Sequence, residues 1–426
     1  MVSKKCQNLI VHKLIQMTHI LMVFTLLGSG CSPSRPEVSY EANPLTDRTQ
    51  QNDSKPTELS KPTEALSSPL TLQLMQLGFV NLGNTCFANS VHKLLFQHPH
   101  FLEFLATRSP ASKSRKFHDE RDQLKSSFHK LFQEMNRVAT FEKNENQSHL
   151  PSSKFFITEL STVFNHFDRY LRASNFDGDH HFSMADLKNP HTKRYLRKHQ
   201  LDADEYLTRT LDILDYDEYF PTFQEQSSLI FKDGFTRPTG VSASVGSLSL
   251  PIGEKSVISI QTAINKYFGE NEVEDVIRGP GIPKEDALTK LSLTADLSNL
   301  PKQIMLKLKR FEMIYRSGEI RKIRKNIDLD SEITLEVTEA SSPSDPKSLP
   351  VTLKYKIAGV IVHHGETPSS GHYITYLKEG STGTWYLHDD TRVTAIGDAG
   401  LKQAVEDMES NGYIFLYTAA ESTENL

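Results

Sequence analysis

The chain has 426 residues, a length that suggests about two or three domains and permits a large core. Its 37% apolar and 24% charged residues suit a soluble globular protein. Setting aside residues 1–30, which hold Lys4, Lys5 and Lys13 and no acid, leaves 45 basic against 53 acidic side chains, a balance of −8 that disfavours nucleic-acid binding.

The N-terminus places lysines first, then a mostly apolar run from Leu14 to Leu27, then the small residues Gly28, Ser29 and Gly30 before Cys31. That order is the pattern of a secretory signal, and the run falls short of the roughly twenty apolar residues that span a bilayer. The small residues before Cys31 resemble the lipobox of bacterial lipoproteins, with Leu27 one position too far upstream and Gly28 in its place. Cys31 is therefore the expected lipid anchor, with plain secretion as the alternative. Cleavage there removes Cys6 and leaves Cys86 alone, so the mature chain has neither an internal disulfide nor a cysteine zinc site.

From Ser32 to about Pro69 the sequence is rich in Pro, Ser, Thr, Glu and Gln and repeats "SKPTE". Such a segment cannot bury enough apolar surface to fold, and as a flexible tether it spans roughly 35 Å. Next, Phe87, Val91, Leu94 and Leu95 fall on one helical face, so a helix is predicted from Cys86, capped by Asn84 or Thr85. Helical patterns follow at residues 121–138 and 155–173, with a loop at 143–153 between them, and another helix is expected over 202–215. Beyond it the period changes: residues 241–252, 302–314, 351–364, 371–378, 384–390 and 412–418 alternate or are rich in β-branched and aromatic residues, as strands are. A helical half followed by a strand-rich half is an α+β arrangement.

A free thiol with a pKa of roughly 8.5 becomes a nucleophile when a helix N-terminus and an imidazole lower it to about 3.5–7.5. Cys86 has the helix. Among 17 histidines, His372 follows Gly371 and opens a strand, and the next strand ends at Asp389 and Asp390. Antiparallel pairing of those strands brings a carboxylate beside the imidazole, the arrangement a thiol protease needs. The plain alternatives are a buried inert cysteine, a structural histidine and a turn at the two aspartates.

Five segments resemble the ubiquitin-specific proteases, papain-like cysteine isopeptidases: "NLGNTCFANS" at the cysteine, "QLDADEYL" at Gln200–Leu207, "LPKQIMLKLKRF" at Leu300–Phe311, "VIVHHGETPSSGHYITYL" with "WYLHDDTRV", and "GYIFLY" near the end. They keep the family's order over roughly residues 77–418. The resemblance implies a papain-like α+β fold, with catalytic domain 71–419 divided into a thumb (about 71–216), fingers (about 217–299) and palm (about 300–419). Signal peptide 1–30 and tether 31–70 precede it, and a tail 420–426 follows. It implies Cys86 as nucleophile, His372 as general base and acid, Asp389 as its orienting acid, Asn81 as oxyanion donor and Asp390 as a supporting acid. Asp202, Glu205, Gly371 and Tyr373 would bind the C-terminal tail of ubiquitin, the implied partner, although the two acids could equally be solvated charges.

No cofactor and no metal are expected. The chain lacks the Cys-x-x-Cys pairs of zinc-binding fingers, so the fingers must be held by packing or be reduced; His388 replaces the family's usual aromatic, and His363 and His364 have no zinc spacing. Residues 175–187 hint at a calcium loop, but alanine and methionine fall at ligand positions, and a plain acidic loop is the better reading. Trp385 is read as core. A lipoprotein signal beside a ubiquitin-directed domain suggests a bacterial enzyme, secreted or membrane-anchored, acting on conjugates of a eukaryotic host. If the N-terminus is read otherwise, a eukaryotic secretory or intracellular enzyme is the alternative. The rival readings of function are a protease for another ubiquitin-like modifier and a catalytically silent ubiquitin-binding module on a membrane.

Overall fold

Four apolar-periodic segments become helices because each has a stripe to bury: α1 (Cys86–Leu95), α2 (Lys116–Asn144), α3 (Ile157–Ala173) and α4 (Ala203–Ile213). Leu124, Phe128, Leu131 and Met135 of α2 meet Leu160, Val163, Phe164 and Phe167 of α3 in a shared core. A computed structural model of the protein describes residues 74–97, 101, 116–144, 156–173, 200–214, 221–245, 247–278, 283–314, 317–339 and 350–420. All lie within the unit Ser67–Leu426. The expected signal peptide, Cys31, the tether and the acidic loop at 175–187 lie outside the described residues, as does most of the expected loop at 143–153. Among the described residues no helix is long and apolar enough to cross a membrane.

The strands are β1 (Phe223–Phe231), β2 (Thr236–Val245), β3 (Ser247–Leu250), β4 (Asn271–Val276), β5 (Glu285–Ala295), β6 (Gln303–Leu308), β7 (Phe311–Met313), β8 (Ile320–Lys322), β9 (Glu332–Glu339), β10 (Val351–His364), β11 (His372–Lys378), β12 (Trp385–Asp389), β13 (Arg392–Ile396) and β14 (Gly412–Ala419). Two further helices are α5 (Ile260–Tyr267) and α6 (Asp398–Asn411). Twelve strands form one sheet, and β7 pairs with β8 apart from it. The pairing is antiparallel except at β3 with β6 and β5 with β9.

Strand β10 organises this sheet. Its first half, Val351–Lys356, pairs with β9, its second half, Gly359–His364, pairs with β11, and β14 pairs with it from Tyr355 to Val362. Side chains alternate between two cores. Ile361, Tyr373, Leu377, Ile414 and Leu416 face the cluster built by α1 to α4, while Val360, Val362, Ile374, Tyr376, Phe415 and Tyr417 join the cluster that holds α5, α6 and Trp385. Burial on both faces is why these strands read as nearly continuous apolar runs.

Two expectations change here. The single strand expected at 241–252 falls into β2 and β3, which pair with different partners. The strand expected at 302–314 breaks at Lys309–Arg310, where Arg310 turns inward, 0% exposed, and donates to the carbonyls of Lys325 (2.8 Å), Glu409 (2.9 Å) and Gly412. The region expected to do without zinc has its own small core of Leu229, Phe231 and Ala287. There the Arg278 guanidinium lies 4.4 Å from the Phe235 ring and 2.7 Å from the Asp233 carboxylate.

Candidate active site

Cys86 opens α1 after a turn in which Gly83 and Asn84 take left-handed backbone angles, φ 97 and 51. Thr85 holds the cap position without capping through its side chain, contrary to expectation. Its hydroxyl instead accepts from Leu82 N at 2.9 Å and donates to Asn81 Oδ1 at 3.2 Å. Nor is α1 a surface helix with one apolar face: all ten of its residues are buried, because it lies between the other helices and the sheet.

His372 and Asp389 come together as the strand reading requires. Register Thr375↔His388 between β11 and β12 sets the two side by side, with His372 Nε2 2.6 Å from Asp389 Oδ1. With Nε2 engaged, Nδ1 is the nitrogen left for Cys86. The Cys86 sulfur, ahead of the Asp389 carboxylate, pushes His372 up from 6.5 to about 9 against the opposing effect of burial. The imidazolium form of His372 is thus favoured beside the Cys86 sulfur and the Asp389 carboxylate. Gly371 has φ 106, and a Cβ there would lie 2.1 Å from the His364 carbonyl oxygen, so only glycine lets the chain enter β11 at this angle.

Asn81 and Asp390 form the other side of the site. Asn81 Oδ1 accepts from Gly83 N at 3.0 Å, Thr85 N at 3.1 Å and the Thr85 hydroxyl, which fixes Nδ2 as the end that donates to Asp390 Oδ2 at 2.9 Å. Only one of the two Nδ2 hydrogens is used by that bond. Asp390 Oδ1 accepts from Asn89 Nδ2 at 2.8 Å, and its main-chain oxygen accepts from Phe79 N at 2.9 Å. Gly78 makes this docking possible, since a Cβ there would meet the Thr391 carbonyl oxygen at 2.4 Å.

The four expected binding positions differ in what they present. Glu205 is exposed and pairs with Arg209, and Gly371 offers exposed backbone. Asp202 and Tyr373 carry internal bonds instead. Asp202 caps α4 by accepting from Asp204 N at 2.8 Å and also accepts from the Tyr413 hydroxyl, while burial pushes its carboxyl up. Tyr373, 1% exposed, donates to the Pro368 carbonyl at 2.8 Å.

His372, Asp389 and Asp390 have donor atoms within 4.8 Å of one another and are the described residues that could hold a metal ion. Their oxygens are already matched to the imidazole and the two amides. His363, His364 and His388 do not converge: His363 Nε2 meets the Ser370 carbonyl, His364 meets Asp407, and His388 is 3% exposed with neither ring nitrogen partnered. Sequence reasoning assigned no role to Asn89 or Gln200. Asn89 lies in the cysteine segment, and Gln200, whose Oε1 is 3.9 Å from Cys86 Sγ and whose Nε2 has no partner, opens the "QLDADEYL" segment.

Residues 77–417 match the family model described as ubiquitin carboxyl-terminal hydrolase. Ubiquitin carboxyl-terminal hydrolase 25 of Arabidopsis thaliana is 22% identical over 343 residues, 80% of this chain and 47% of that protein. Ubiquitin carboxyl-terminal hydrolase 12 of Salmo salar is 25% identical over 363 residues, 81% of this chain and 90% of that one. The chain spans less than half the length of some curated relatives, 29% for ubiquitin carboxyl-terminal hydrolase 14 of Saccharomyces cerevisiae. In solved structures, a chain of the SAGA DUB module Ubp8/Sgf11/Sus1/Sgf73 bound to monoubiquitin matches with TM-score 0.57 at 18% identity, over 83% of this chain and 71% of that one. A module of the same composition bound to ubiquitin aldehyde gives 0.56 at 20%, over 82% and 70%. The fold is therefore the papain-like α+β arrangement. The chain belongs to the ubiquitin carboxyl-terminal hydrolase family.

Proposed function

We propose that the chain is a cysteine-type deubiquitinase that hydrolyses the peptide or isopeptide bond after the C-terminal glycine of ubiquitin. The observation that carries this reading is the line Cys86, His372, Asp389 with the Asn81 amide held opposite by Asp390. The Cys86 thiolate attacks the glycine carbonyl carbon, and the oxyanion that forms takes the spare Nδ2 hydrogen of Asn81, with the Cys86 main-chain N–H at the helix start as a second donor. The His372 imidazolium gives its proton to the departing amine, leaving a thioester. Neutral His372 then takes a proton from water, whose oxygen attacks the thioester, and returns that proton to the sulfur. Asp389 holds the ring and stabilises its charge in both steps. Glu205, with the backbone at Gly371, is suited to line the path of a basic tail.

Ubiquitin as the modifier is supported by the ubiquitin-bound modules that share the fold. The test is incubation with ubiquitin carrying a C-terminal thiol-reactive group, beside the same probe on other ubiquitin-like modifiers and a Cys86→Ala chain. An adduct with ubiquitin that is lost in Cys86→Ala is expected; adducts with another modifier alone, or none, refute the reading. The order of residues 1–31 further supports a proposal that Cys31 anchors the enzyme to a membrane. Equal membrane recovery of wild type and Cys31→Ser overturns it.

A further inference from the structure

Lys93 lies about two turns beyond Cys86 on the same helix and is 4% exposed. Among the described residues no carboxylate offsets its charge, and burial holds the amine down to about 7. Its Nζ donates to the Leu77 carbonyl, lies 3.5 Å from the Leu74 carbonyl and sits 4.5 Å from the Phe79 ring. The titratable groups around it are His92 on its own helix, whose Nε2 is 2.8 Å from the Tyr206 hydroxyl, and His388 from β12.

What Lys93 grips is the segment that leads to the oxyanion amide. Leu77 is followed by Gly78 against Thr391, by Phe79 bonded to the Asp390 carbonyl, and by Val80, whose carbonyl accepts from Asn89 Nδ2 at 3.2 Å. Asn81 comes next. Lys93 and Asn89 therefore hydrogen-bond from the helix that carries the thiol to the segment that carries the amide, and the His92 ring packs edge-on against Phe79 beside them. A buried amine is a costly way to fill an apolar core. Its donors, directed at the Leu77 and Leu74 carbonyls, do what a methionine or leucine of similar size cannot: they fix where the segment lies along α1.

We propose that Lys93 is a positioning residue for the oxyanion side of the site, tying the segment before Asn81 to the helix that bears Cys86. This rests on the thiol-hydrolase reading above. Two reactions of the same sulfur separate a positioning role from a merely structural one. Hydrolysis of a ubiquitin C-terminal amide develops an oxyanion, whereas alkylation of Cys86 by iodoacetamide is a displacement at carbon that develops none.

In the full chain, Lys93→Met is expected to lower kcat by about tenfold to a hundredfold, with KM and the alkylation rate within about twofold of wild type. Lys93→Gln, whose amide still donates, is expected to recover kcat to within about threefold of wild type. Asn81→Ala supplies the reference pattern. Alkylation that falls in proportion to kcat, or a kcat for Lys93→Met within threefold of wild type, overturns the assignment. Should Lys93→Met not fold, Lys93→Ala, which leaves room for water at the carbonyls, is read the same way, and failure of both to fold also overturns it. A wild-type chain that alkylates but hydrolyses nothing refutes the hydrolase reading itself and this assignment with it.

Discussion

Replacing Asp389 with Asn removes a charge from the site while leaving an oxygen to receive the His372 N–H. The two side chains stand 2.6 Å apart, 38% and 41% exposed. Unit charges at about 4 Å attract by roughly 4 kcal/mol at an effective dielectric near 20 and about 1 kcal/mol in bulk water. For a pair this open, solvent screening places the contribution near the lower end, at about 1–2 kcal/mol. Since one pH unit corresponds to about 1.36 kcal/mol, the imidazolium of Asp389→Asn loses its proton about one pH unit earlier. Cys86, the larger influence on His372, is untouched.

The sign follows from which form works. The proton on His372 is needed for the departing amine, so kcat/KM of the wild type is expected to fall as pH rises through about 9. In Asp389→Asn that alkaline limb moves down, with a drop of about tenfold at its plateau. Because the folded value is raised, the stability His372 contributes is complete below its unfolded value of 6.5 and lost as pH rises through about 9. In the variant that loss begins at lower pH. The assay is a pH–rate profile between about pH 6 and 10 with melting curves at each point. An alkaline limb that stays where the wild type has it refutes the reasoning.

Two further outcomes are expected. Gly371→Ala sets a Cβ 2.1 Å from the His364 oxygen at φ 106 and is expected to cost about 2–4 kcal/mol, against about 1 kcal/mol for Gly234→Ala, where φ is 83 and nothing lies within 4 Å; equal melting temperatures for the two variants refute this. Arg278→Ala removes the cation over Phe235 and its pairing with Asp233, and is expected to raise hydrogen exchange in β1 and β2 by about 1–2 kcal/mol while leaving Cys86 alkylation unchanged. Unaltered exchange in both strands counts against that role.

The site was legible in the sequence because its chemistry sits in short segments whose neighbours have little freedom. Gly371 before His372 and the two aspartates after an alternating strand carry their geometry with them. The two-sided strands β10, β11 and β14 were equally plain, being apolar throughout. What escaped was set by partners far along the chain. Helix α6 buries only Ala404 and Met408, too thin a stripe for a helical period to show. Strand β1 is half-exposed along most of its length, so no alternation marks it. Lys93 is a polar residue in a core, where a pattern of apolar positions leaves no trace of it. The break at Arg310 follows from carbonyls that no local rule connects to it.

Arg310 and β14 also bear on how the protein is made. Strand β14 lies between β10 and β6, in the middle of the sheet, although it is the last described strand to leave the ribosome. The Gly412 carbonyl that receives the Arg310 guanidinium comes 102 residues later, which at roughly 5–20 residues per second is a wait of about 5–20 s. Once β10 is made and until β14 follows, β6 and β10 each offer an open edge and the Arg310 guanidinium lacks its Glu409 and Gly412 carbonyls, a state that invites chaperones and aggregation. A premature stop before β14 therefore removes not a tail but the centre of the sheet. A chain shortened there is expected to be degraded rather than to persist as a weak hydrolase.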